Sequence, residues 1–109
     1  MDAFSFASAE AAELTDLSRF LVAVGDPIRQ QILLLLSRER LNVGTLTDRI
    51  HLSRPAVSHQ LKVLLDAGLL TQERRGRENV YRVEGTRCRD FARDLASFVE
   101  RLASTNGTS

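Results

Sequence analysis

The chain has 109 residues, 43% hydrophobic and 27% charged, with a net charge of +1; one globular domain is expected and wholesale disorder is excluded. The apolar run Ile32–Leu36 falls far short of the roughly 18 residues of a membrane span. The near-neutral total hides an uneven distribution: residues 1–26 set Arg19 against five carboxylates, whereas residues 49–82 set seven cations against Asp66, Glu73 and Glu78, the electrostatic footprint of phosphate binding.

In chain order, residues 1–7 read as a flexible N-terminal arm, acidic and without the basic start of a secretory signal, so the cytoplasm is the expected location. A first helix opens near Ser8, with Leu14, Leu17, Leu21 and Val24 on one stripe, and stops at Gly25. Asp26 caps a second helix that has Pro27 at its first position and Ile28, Ile32, Leu35 and Leu36 on its buried face. Asn42 caps a third helix, through Ile50. Ser53 caps a fourth, whose Val57, Leu61, Leu64 and Leu65 face inward and which Gly68 terminates in the left-handed region. The period then changes. Leu69–Arg74 and Val80–Val83 read as two strands around a turn of Arg75-Gly76-Arg77-Glu78-Asn79. A last helix from about Thr86 carries Phe91, Leu95, Phe98 and Leu102 on one stripe, and residues 104–109 read as a disordered tail.

Four helices, a two-stranded hairpin and a final helix make a mainly α winged helix-turn-helix domain, spanning residues 8–103. Its small core is filled by the second, third and fourth helices, so the stripes of the first and last are spare. The expected use of Leu14, Leu17, Leu21, Phe91, Leu95, Phe98 and Leu102 is therefore a homodimer interface.

The fourth helix carries Arg54, Ser58, His59 and Lys62 on one face, with Gln60 near its border and Ser53 at its cap. A helix apolar on one side and polar on the other can pack on a core and still lie in the major groove of double-stranded DNA. There Arg suits guanine edges and Gln suits adenine. Arg74, Arg75 and Arg77 around Gly76 would follow phosphates beside it. The expected function is that of a sequence-specific transcriptional regulator.

Gly25-Asp26-Pro27-Ile28-Arg29-Gln30-Gln31-Ile32-Leu33, then Leu52-Ser53-Arg54-Pro55-Ala56-Val57-Ser58-His59-Gln60-Leu61-Lys62-Val63-Leu64, resemble the ArsR/SmtB family of small metal- and stress-responsive bacterial repressors. Ala67-Gly68-Leu69-Leu70, Arg75-Gly76-Arg77 and Val80-Tyr81-Arg82-Val83 extend the resemblance, which covers about residues 14–102. It implies a homodimer that binds a palindromic operator, usually as a repressor, with an effector that alters its grip. It also implies what is missing. Where many members place two metal-binding cysteines this chain has Asn42 and Gly44, and where others place an Asp and three His it has Gly85, Arg87, Phe98 and Arg101. None of the usual metal sites is retained and no cofactor is expected.

Two alternatives to that reading stand: a metal-responsive regulator, for example of nickel or zinc, using a non-standard site, and a winged-helix protein-interaction module without DNA binding. His51 and His59 are not at metal-ligand spacing, and Cys88, the lone cysteine, cannot form an internal disulfide. An enzyme is not expected. There is no phosphate-binding glycine loop and no nucleophile elbow, and the adjacent Ser58 and His59 diverge by about 100° around a helix, so they cannot pair as nucleophile and base.

Overall fold

The computed structural model describes residues 8–104; the N-terminal arm, residues 1–7, and residues 105–109 of the tail lie outside the described residues. Five helices and three strands follow in the order α1 (Ser8–Val24), α2 (Pro27–Arg38), β1 (Leu41–Asn42), α3 (Val43–Ile50), α4 (Arg54–Asp66), β2 (Leu70–Arg75), β3 (Glu78–Val83) and α5 (Gly85–Ser104). This is a winged helix-turn-helix fold.

The caps fall where short polar side chains meet free backbone N–H groups. Asp26 accepts from the Arg29 N–H at 3.0 Å, Asn42 from Thr45 at 2.8 Å and Ser53 from Ala56 at 3.3 Å. Each such cap contributes about 1 kcal/mol. Gly68 takes φ +78° at the end of α4, so the chain can turn directly into β2. The turn from α3 to α4 passes through His51, in the left-handed region at φ 62° and ψ 38°.

Ile32, Leu46, Leu61, Leu64, Leu69 and Val57 are the largest fully buried side chains, so the core lies where α2, α3, α4 and the root of the hairpin meet. The sheet differs from the sequence expectation. It has three strands, in the order β1-β3-β2, because Leu41 and Asn42 pair antiparallel with Tyr81 and Val80. Two residues between helices are too few for any alternation to be visible, but Leu41 is buried and holds the hairpin to α3. The hairpin is also tighter than predicted. Arg75 pairs with Glu78, leaving Gly76 and Arg77 as a two-residue loop, with Gly76 at φ +61° in the first position. Tyr81 is buried at the base of the wing, and that burial raises its pKa. Helix α5 runs through Ser104, one residue into the predicted tail, and the Ser104 hydroxyl donates to the Glu100 carbonyl. Among the described residues no single helix is long and apolar enough to cross a membrane.

Two of the seven expected interface residues belong to the chain's own interior. Phe91 is buried and its ring stacks on Phe20, centroids 4.6 Å apart and planes 18° apart; Leu17 is 5% exposed. Helices α1 and α5 pack on each other, so one line of each stripe closes within the chain. What remains is narrower. Leu14, Leu95 and Phe98 are half-buried, Leu21 and Leu102 are exposed, and Val22 and Val99 join them as exposed apolar side chains.

Candidate nucleic-acid interface

Helix α4 presents its polar side as the sequence suggests. Arg54, Ser58 and Lys62 follow one another at i, i+4 and i+8, with His59 beside them, and all four are exposed. Val57, Leu61 and Leu64 are buried on the opposite side, which fixes the face that α4 turns outward. Pro55 sits in the first turn, where its missing N–H has no intrahelical partner to lose. The Ser53 hydroxyl is engaged as the cap acceptor. Lys62 reaches the Asp66 carboxylate at 3.3 Å, an exposed pair worth well under 1 kcal/mol that another anion could displace.

Gln60 is half-buried at the border of that face. Its Oε1 accepts from the Arg29 guanidinium at 2.7 Å, so the side chain turns away from the Arg54–Lys62 line and toward α2. It sits about 100° round the helix from His59, which places it at the edge of the packed side. Sequence spacing put Gln60 at a border; only the position of α2 decides which way it points.

The wing brings its arginines close to α4. Arg54 and Arg77 line one cleft of about 400 Å³ where the starts of α3 and α4 face the hairpin, with Asp48 and Glu78 at its acidic side. Among the described residues neither Arg54 nor Arg77 has a carboxylate within ion-pair distance, whereas Arg75 is held by Glu73 at 2.7 Å. Arg74, which is exposed, donates from Nε to the Gly76 carbonyl at 3.1 Å across the tip. The three wing arginines are thus inequivalent. Two contacts that sequence reasoning missed tie the wing to the body of the domain: Arg40 pairs with Glu73 at 2.9 Å, and the Asn42 amide donates to Glu78 at 3.0 Å. Their partners lie more than thirty positions apart, and no local pattern announces them.

Among the described residues no three His, Cys, Asp or Glu side chains gather as a metal site. Cys88 is half-buried on α5. Burial and the neighbouring Glu84 carboxylate push its thiol pKa up, which opposes thiolate formation.

The model of the family described as bacterial regulatory protein, arsR family, matches residues 26–72, from the cap of α2 into β2. The chain is 43% identical over 63 residues to the HTH-type transcriptional repressor SmtB of Mycobacterium tuberculosis, a match over 58% of this chain and 47% of that protein. The chain therefore spans about half the length of that relative. It is 37% identical over 79 residues to the HTH-type transcriptional regulator Rv2034 of the same organism, covering 72% of this chain and 74% of the other. Among solved structures, the homodimeric winged helix-turn-helix DNA-binding domain of a possible ArsR-family regulator from Mycobacterium bovis superposes with a TM-score of 0.72. That match is 26% identical and covers 94% of this chain and 96% of that one.

Proposed function

The chain belongs to the ArsR family of bacterial regulators, and from that premise we propose that it is a cytoplasmic, sequence-specific DNA-binding repressor, not an enzyme. It acts as a homodimer on a palindromic operator, and an effector acting across the seam between its subunits shifts its affinity. The observation that carries this reading is that Arg54 of α4 and Arg77 of the wing line the same cleft, while Ser58, His59 and Lys62 of α4 and Arg74 of the wing are exposed. In this reading α4 enters the major groove, Arg54 and His59 meet base edges or adjoining phosphates, and the wing follows the backbone.

Homodimerisation is supported by the apolar residues left exposed on α1 and α5. A two-fold axis through that seam would place two α4 helices on one face of the duplex, about 34 Å apart. The similar Mycobacterium bovis domain, described as homodimeric, supports assembly as a dimer.

The test is a titration of the purified protein against DNA from its own upstream region and against random DNA, at two salt concentrations. Preference for one palindromic fragment, with affinity falling steeply as salt rises, is the expected result. Equal, weak binding to both DNAs would overturn the proposal and favour a protein-interaction module.

A further inference from the structure

Arg29, in the first turn of α2, spends every nitrogen of its guanidinium on two other helices. Nε donates to the Ala23 carbonyl at 2.7 Å and Nη2 to the Val22 carbonyl at 3.0 Å, both at the C-terminal end of α1. Nη1 donates to Gln60 Oε1 on α4 at 2.7 Å. The last carbonyls of a helix have no intrahelical donor, so the first two bonds cap α1. The third does something else. Gln60 sits at the edge of the packed side of α4, and the same planar group that holds α1 also holds α4.

We propose that Arg29 is a positioning residue for the recognition helix: through Gln60 it fixes the rotation of α4 about its own axis to the C-terminal end of α1. This rests on the DNA-binding reading above. Val57, Leu61 and Leu64 hold α4 on the core, but apolar contacts are non-directional and tolerate a few degrees of roll. Three charge-assisted bonds from one rigid plane do not. A roll that carried Gln60 away from α1 would break the Nη1 bond or pull Arg29 off its two carbonyls. Because α1 also carries Leu14 and Leu21 toward the seam, a shift of α1 there reaches the face that carries Arg54 and His59. Gln60 on this account holds the reader and is not itself a reader.

Five proteins test it: the native chain, Gln60→Ala, Gln60→Glu, Arg29→Lys and the double variant Gln60→Ala with Arg29→Lys. For each, the ratio of operator to random-DNA affinity, the base preference selected from a randomised operator and the melting temperature are measured. Gln60→Ala keeps both bonds that cap α1, so its melting temperature stays within a few degrees of native. Its operator-to-random ratio falls about tenfold, the scale of one lost bond to a charged group, with the preferred base unchanged at every position. Gln60→Glu keeps the acceptor and restores the ratio, since its added negative charge penalises both DNAs alike. Arg29→Lys cannot span three acceptors and loses the ratio as Gln60→Ala does, and combining the two substitutions adds no further loss. Loss of preference at one operator position in both Gln60 variants would overturn the proposal, since Gln60 would then be reading a base. An unchanged ratio in Gln60→Ala would overturn it as well. Failure of the native chain to prefer any operator defeats the DNA reading itself and is seen before any substitution is made.

Discussion

The guanidinium of Arg87, near the start of α5, lies against Gly68, the residue on which the chain turns from α4 into the wing. A Cβ placed on Gly68 would stand 2.8 Å from Arg87 Nη2, and the same guanidinium lies over the Phe91 ring, 5.5 Å from its centroid. The Arg87 side chain therefore reaches from α5 to the turn where α4 and the hairpin part.

Gly68→Ala separates two costs at that contact. The methyl group meets the far end of a flexible side chain, which can swing aside at little expense. The φ of +78° cannot be avoided and costs an L-residue about 1–2 kcal/mol. Denaturant unfolding is expected to show a loss of that size, and adding Arg87→Ala to Gly68→Ala is expected to recover none of it. Recovery in the double variant would mean that the packing of Arg87, and not the backbone, sets the cost.

Phe91 and Val99 lie eight residues apart on α5 and have different fates on substitution. Phe91→Ala removes the partner of Phe20 from the core and is expected to destabilise the fold by about 3–5 kcal/mol. Val99 is 49% exposed, so Val99→Asp costs the single chain little but sets a charge in the proposed seam. Sedimentation is expected to give a folded monomer for Val99→Asp. If that variant sediments as a dimer, the seam does not run along this part of α5.

The order of the helices, all three caps and both termini of α4 were legible in the sequence, because Asp26-Pro27, Asn42, Ser53 and Gly68 act on backbone groups one to four positions away. What was not legible depends on partners far along the chain. Leu41 and Asn42 become a strand only because β3 lies beside them. Phe91 and Leu17 lie on long apolar stripes, and periodicity alone cannot say whether such a stripe is closed by the chain itself or by a second copy. Here part of each is closed from within, by the packing of α1 on α5. Arg54, Ser58, His59 and Lys62 are exposed on one side of α4 and Gln60 is half-buried at the border where its spacing puts it, but the direction of its side chain is set by an arginine thirty-one positions earlier.

Stability should fall in alkaline solution. Burial and Glu84 raise the Cys88 pKa in the fold, and burial raises that of Tyr81. Below the unfolded thiol pKa of about 8.5 both states are protonated and the thiol contributes no pH dependence. Above it the unfolded chain ionises first, so unfolding is favoured progressively until the folded thiol also titrates; Tyr81 adds the same trend from about pH 10. Cys88→Ser is expected to flatten the earlier part of the decline in urea unfolding measured between pH 7 and 10. A native-like slope in that variant would assign the loss to other groups.

The inequivalence of the wing arginines predicts a difference in salt dependence. Arg77 has no carboxylate partner among the described residues and lines the cleft shared with Arg54, so it is the cation best placed to neutralise a phosphate. Each phosphate neutralised contributes about 0.9 to the slope of log affinity against log salt. Arg77→Ala is therefore expected to reduce that slope by about one unit on operator and random DNA alike, since a backbone contact carries no sequence information. Arg75 is held at 2.7 Å by Glu73, which Arg40 also engages, and for it to reach a phosphate that pair must first break. Arg75→Ala is expected to leave the slope near its native value. Equal slope changes in the two variants would mean that the Glu73 pair opens on DNA and that the wing meets the backbone as a flexible cationic tip. A change at Arg75 alone would mean that the hairpin approaches from its other side, with the cleft between Arg54 and Arg77 facing away from the duplex.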